Sequence, residues 1–542
     1  MRRPRYQRLR QHRRRSGSVW LGIIAVLILA IAGWFYLTRP VSGYFVLVQS
    51  AEPETLLPHT LETEASWRLA PLIYSSLVRL QGDGTLASDL AESWWTEDSG
   101  LSWVFRLREG AAWHDGRPVT VDDVLFTYKT LARPDCPGPL GRKWRDIPVE
   151  SPGAQLVVFR LPEADPFFPR RVAAVPVVPA QHLQGIHPAD WRASSFGQKP
   201  VGSGPFRLVA WEKGKSLQLV PHDQYHLGRA ALAGFEVRFL AEVPDPGSLR
   251  RWGLDAVLVS GDVNQPAGLF CSRQASRAIA VGSTWYYLLA INQREWPGNQ
   301  LAVRRAIQAA IDRTLLVRAV GETKFSAVGN PLEPYRWLGL TRPTRASVPQ
   351  TILADAGFAD ANGDGVWERG GAELAAKLVV WQADADRVQL ARAIARQLGS
   401  AGFRVEVVEV DYAEFLAATL IRQDYQLAIG LLDFGGFAPL DELLGSGAGP
   451  TADDTGYIRG GANYFGHKDP ALDQKLAEFK KADNEDSLKT ALWEINQLLI
   501  DNPPFIPLLA PRTSLIIGNG VRQVNAGPYS LFSEVHLWRK VR

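Results

Sequence analysis

Residues 94–131 read WWTEDSGLSWVFRLREGAAWHDGRPVTVDDVLFTYKTL. Trp103, Phe105 and Leu107 recur at every second position, the pattern of a strand covered on one face. Asp98-Ser99-Gly100 is a turn joining this strand to the one before it. A second turn, His114 to Pro118, feeds a helix. Thr120 is its N-cap, Asp123 is the capping-box acid three residues on, and Val124, Phe126, Tyr128 and Leu131 are its apolar positions. Strands and a helix in such close succession point to a mixed α/β body.

The same alternation of elements extends outward in both directions. Arg39, Pro40, Ser42 and Gly43 form a linker into a strand, Tyr44 to Gln49, and Leu69, Leu72, Ile73 and Leu77 place a helix over Trp67 to Leu77. Leu156 to Leu161 is a further strand. Residues 199–211, KPVGSGPFRLVAW, read as a tight turn entering a strand, with Gly202 and Gly204 supplying backbone geometry closed to other residues. A hairpin follows over Glu212 to Gly228, turning at Lys213-Gly214. Trp285 to Asn292 is a strand and Val303 to Leu316 a helix. Leu378 to Val410 reads as strand, helix, strand, with Leu390, Ile394 and Leu398 facing inward. Tyr425 to Leu432 is another apolar strand, two helical patterns fill 470–499, and Pro503-Pro504 leads into a returning strand.

The opening stretch resembles the signature of the family 5 extracellular solute-binding proteins. These are the peptide, nickel-chelate and oligosaccharide receptors of bacterial ABC importers. The shared pattern runs through Trp94, the acidic turn, Gly100-Leu101, Phe105-x-Leu-Arg-x-Gly110, Trp113-His-Asp-Gly-x-Pro118, Thr120, Asp122-Asp-Val124 and Phe126. Pro200-Val-Gly-Ser-Gly-Pro205 and Ala310-Ile-Asp-Arg313 carry the likeness further along the chain. The resemblance implies an α/β two-lobed periplasmic-binding-protein-like fold (type II, peptide-binding cluster) with an extra subdomain. On the landmarks above, lobe I is expected over 44–79, 199–290 and 503–542, the extra subdomain over 80–198, and lobe II over 291–502.

The N-terminal end has its own physics. Residues 1–18 carry eight arginines and no acid, and Val19 to Leu37 is an uncharged apolar run. Such a run is near the roughly 20 residues needed to span a hydrocarbon core, and the basic flank keeps the tail cytoplasmic. We expect a single transmembrane anchor, with residues after about 38 in the periplasm or extracytoplasmic space. Removal after Ala32, as a signal peptide, is the alternative. Of the formal net charge of +4 the tail supplies +8, so the remainder carries about −4. The basic balance is a topology device, and nucleic acid is not expected as a partner.

No G-x-S-x-G elbow, H-E-x-x-H helix or phosphate-binding loop occurs, so catalysis is not expected. His114-Asp115 reads as a solvated turn, because adjacency does not orient an acid on a base. Asp360, Asn362, Asp364, Gly365 and Glu368 copy the first part of a calcium loop, but Gly371 stands where the bidentate glutamate belongs, so a structural turn is expected. His222 and His226 lie four apart beside Pro221 and Gly228, in a turn and not on a ligating helix face. Cys136 and Cys271 have no spaced partners for a metal, and their pairing stays open. No metal or cofactor is expected.

Ligand-binding candidates come from strand ends, which border the crevice in α/β lobes. Trp381, Trp285, Tyr286 and Phe434 stand at such ends. The resemblance adds Asp433, because peptide-binding members of the family place an aspartate after the corresponding strand to pair with the ligand's ammonium. Here, however, Gly435 occupies the family's position relative to Pro439. Glu64, near the opening helix, is a second acid by resemblance. The expected function is the solute-binding component of an ABC importer, a monomer that encloses a peptide or peptide-like solute and delivers it to transmembrane subunits. A membrane-tethered sensor or docking protein on the same fold is the alternative.

Overall fold

The first strand, Tyr44–Gln49, is central to a seven-stranded sheet ordered 276–281, 513–518, 256–260, 44–49, 234–239, 216–221, 206–212. In this computed structural model the described residues are 44–58, 64–133, 135–136, 144–240, 253–260, 276–281, 283, 285–322, 324–333, 335, 340, 348–433, 440–452, 458–460, 463–482, 485–518 and 520–540. Tyr44–Gln49 pairs in parallel with Ala256–Ser260, while the hairpin strands Phe206–Glu212 and Ser216–Pro221 are antiparallel as expected. Phe45 projects into an aromatic core against Phe235 (4.9 Å) and Trp538 (5.4 Å), which ties the C-terminal segment to the first strand.

A second, six-stranded sheet is ordered 325–327, 505–511, 285–291, 427–433, 375–381, 404–410. Ala375–Trp381, the helix Ala385–Ser400 and Arg404–Val410 form the expected parallel strand–helix–strand unit, with Leu390, Ile394 and Leu398 buried. Trp285–Ile291 is hydrogen-bonded between Leu427–Asp433 and Phe505–Pro511. Ladder hydrogen bonds place 285–291 and 505–511 in this sheet, and the chain changes sheets between Val281 and Trp285 and between Pro511 and Thr513.

The residues of the opening stretch build a four-stranded sheet, 91–97, 102–107, 156–160, 149–153, covered by the helix Val121–Leu131. Positive φ at Asp98, Ser99 and Gly100 makes the expected turn. The signature's aromatics are core: Phe105, Phe159 and Phe168 pack with Tyr128 and Trp144, and Trp113 is fully buried. Asp123 does more than cap. One of its oxygens accepts from the Thr120 N–H (2.9 Å) and the Trp113 indole N–H (3.3 Å), and the other from the Ala180 N–H (2.9 Å). Buried at 6% exposure, this carboxylate joins cap, turn and a distant segment.

Two helices end earlier than periodicity predicts. The first spans Glu64–Ile73 rather than reaching Leu77, because the Ile73 carbonyl accepts from the Gly204 N–H (2.9 Å). The expected helix 303–316 is two, Leu301–Ala310 and Arg313–Val320. Asp312 is extended and caps the second, accepting from the N–H groups of Thr314 and Leu315. Apolar spacing continued through the break, but a capping aspartate starts a new helix. Val19–Leu37 lies outside the described residues; among those described, no helix is long and apolar enough to cross a membrane.

Candidate functional site: a cavity at two crossover strands

Val281 and Thr513 are register partners in the first sheet, and Tyr287 and Leu509 in the second. The chain thus passes between the sheets twice, side by side, once outward and once on its return. At these crossovers lies a cavity of about 750 Å³. The first helix lines it with Trp67 and Arg68, the crossovers with Ser283 and Arg512, the second sheet's body with Glu333, and the C-terminal segment with His536. Its charged lining is of both signs. Arg79 faces Glu534 at 3.6 Å, and Asp89 binds the Nε2 of buried His226 at 2.6 Å while accepting from the Ser76 N–H.

A second set of groups gathers along one edge of the six-stranded sheet. Trp381 ends its strand, Asp433 ends the parallel neighbour, and Trp285 is the register partner of Asp433. Trp381 packs on Tyr412 at 5.1 Å. The Arg387 guanidinium stands over Tyr287 (5.3 Å) and Trp381 (5.7 Å) and pairs with Asp384 at 2.9 Å. The Tyr287 hydroxyl donates to the same carboxylate at 3.3 Å. Burial, followed by the Asp384 charge, pushes the Tyr287 phenol up to about 12.

The family described as "Bacterial extracellular solute-binding proteins, family 5 Middle" matches residues 85–450. The chain belongs to this family. It is 24% identical over 525 residues to the "Oligopeptide-binding protein AppA" of Bacillus subtilis (strain 168), covering 92% of each chain. Among solved structures it resembles AppA from Bacillus subtilis in complex with a nonapeptide, with a TM-score of 0.63, 21% identity, and 92% and 99% of the two chains covered. It also resembles NikZ from Campylobacter jejuni in complex with Ni(L-His), with a TM-score of 0.65, 22% identity, and 92% and 100% covered. The two-lobed α/β solute-binding fold is shared with both.

In this two-lobed family 5 fold the chain joins the two sheets at the crossovers. The expected residues divide accordingly. Trp285 and Asp433 are register partners at one end of the sheet, and Trp381 ends the strand beside that of Asp433. Tyr286 lies in the core: it is 1% exposed, and its hydroxyl donates to the Pro331 carbonyl at 2.5 Å. Alternation along the strand turns Tyr287, not Tyr286, toward Arg387 and Asp384. Neither Trp285 nor Trp381 lines the cavity. Glu64 begins the first helix, while Phe434, Cys271 and the loop after Asp433 lie outside the described residues. Asp384 and Arg387 were not singled out, although an aspartate directly after a strand and before a helix is a readable N-cap signal.

The other motifs have structural occupations. Asp115 binds the Nε2 of His182 at 2.8 Å, whereas His114 takes the Gly202 N–H on Nδ1 (3.1 Å) and faces the Gly204 carbonyl with Nε2 (3.1 Å). His222 and His226 part, one toward the Gly204 carbonyl and one toward Asp89. In the calcium-like loop, Asp360 accepts from the N–H groups of Gly363 and Gly365, Asn362 from Asp364 and Glu368 from Ala361. The Asp364 carboxylate also pairs with Arg404 at 2.9 Å. Loop oxygens serve the loop's own backbone, the economy of an Asx turn.

Proposed function

We propose that this chain encloses a peptide or peptide-like solute in the crossover cavity and presents it to the transmembrane subunits of an ABC importer. The observation that carries the reading is the placement of the cavity where two lobes of a family 5 fold are joined by paired strands, the geometry of hinged closure. Mixed charge on apolar walls suits a ligand bearing both an ammonium and a carboxylate. In this reading Trp381, Trp285 and Asp433, at the end of the second lobe's sheet and outside the cavity lining, meet the part of the solute that extends beyond the cavity. Lobe I comprises 44–79, 199–281 and 513–540, the subdomain 80–198, and lobe II 285–511. The segment Val19–Leu37 tethers the receptor to the membrane as a single-pass anchor, which extraction of cell membranes with alkaline carbonate tests directly. No chemical step is assigned to the site. Differential scanning fluorimetry against di- to nonapeptides and metal–histidine chelates tests the ligand class. Stabilisation by peptides supports it, and stabilisation by chelates alone redirects it.

A further inference from the structure

Phe167 belongs in sequence to the subdomain, yet its ring is buried in the core of the second lobe. It stacks on Tyr335 at 5.2 Å and 14°, and meets Phe479 edge-on at 5.1 Å. The segment that presents it is braced. Asp165 accepts from the Phe167 N–H at 2.9 Å and pairs with Arg171 at 2.8 Å, and Pro166 restricts the residue between them. Beside the ring, the Lys480 ammonium binds Asp441 of its own lobe at 2.6 Å and also Glu163 of the subdomain.

We propose that Phe167 and Lys480 form a latch, a non-covalent connection between the subdomain and lobe II in addition to the covalent crossover strands. The subdomain is bound to lobe I through the His114–Gly202 and His226–Asp89 contacts, so a rotation about the crossovers moves lobe II against it. That rotation withdraws the Phe167 ring from between Tyr335 and Phe479 and separates Lys480 from Glu163. Glu333 and Ala173, close in sequence to the two sides of the contact, line the cavity. The latch therefore couples access to the cavity to the seating of one aromatic ring. This inference rests on the reading that the lobes close around a solute.

The test is a spin-label distance between Leu101 and Ala477 in the full chain, with both native cysteines replaced by serine and no ligand added. Leu101 is exposed on the subdomain and Ala477 on the helix Pro470–Lys480. The unmodified latch gives one short-distance population. Phe167→Ala and Lys480→Gln each raise the long-distance population, the first by more than about tenfold. Phe167→Leu, which keeps apolar volume, gives an intermediate shift and decides the matter if Phe167→Ala does not fold. Distributions identical to the parent in Lys480→Gln and Phe167→Leu overturn the latch. The readout needs no ligand, so a failed peptide screen sinks the functional reading and leaves this result standing.

Discussion

His114, the histidine of the Trp-His-Asp-Gly turn, predicts a specific acid weakness. Its Nδ1 accepts the Gly202 N–H, so the neutral ring carries its proton on Nε2, facing the Gly204 carbonyl. A second proton on Nδ1 would set donor against donor. The ring also stands edge-on to His222 at 4.9 Å, with the charges of Arg207 and Asp115 nearby. Burial above all, and His222 and Arg207 after it, lower the pKa from 6.5 to about 3 despite the Gly204 carbonyl and Asp115. Above pH 6.5 neither folded nor unfolded chain binds this proton, and the stabilisation is fully present. Between 6.5 and about 3 the unfolded chain binds one proton more, so stability falls as the pH drops through that window. The difference corresponds to about 5 kcal/mol at full effect. Because part of the residue remains exposed, solvent screening reduces the expected loss to about 3 kcal/mol. Urea denaturation from about pH 7.5 down to about pH 4 measures it. His114→Asn offers an acceptor and a donor without titrating, and should flatten the slope. Burial lowers His222 and His536 as well, so some slope remains in the variant. Equal slopes in parent and variant would refute the reasoning.

Gly202→Ala places a Cβ at 1.9 Å from the Ile73 carbonyl oxygen, a backbone atom that cannot turn aside. We expect a loss of more than about 3 kcal/mol in chemical denaturation, against less than about 0.5 for Gly153→Ala, whose Cβ meets nothing within 4 Å. Asp123→Ala leaves the Trp113, Thr120 and Ala180 donors unsatisfied and should lower stability by about 3 kcal/mol, with Asp123→Asn recovering part of it. Trp381→Ala removes the aromatic face beside Arg387, outside the cavity lining, and should weaken affinity for solutes that extend beyond the cavity at least about tenfold by isothermal titration, with a folded circular dichroism spectrum.

Much of this fold is legible from local patterns because its signature residues act locally. The Asp98–Gly100 turn, the Thr120–Asp123 cap and the strand–helix–strand unit over 375–410 each close within a few residues of the pattern that announces them. Legibility fails where a distant backbone intervenes. Nothing between Trp67 and Leu77 reveals that Gly204 will take the Ile73 carbonyl and stop the helix there. Gly202 and Gly204 were expected to supply unusual backbone angles. Neither has positive φ, and both are required because the first helix's end approaches too closely for any Cβ. The strand Trp285–Ile291 shows its element but not its sheet, since Tyr286 and Tyr287 look alike until their neighbours are known. The cavity is less legible still. Arg68, Ser283, Glu333, Arg512 and His536 come together from five separate segments with no shared motif.

Native mass spectrometry of the full chain, purified without added ligand and then titrated with a mixed peptide pool, tests the central claim most directly. The account predicts one bound solute per chain, released when the lobes are opened by Phe167→Ala and competed by peptide. A chain that takes up no solute from any pool, while its fold remains intact, would contradict it.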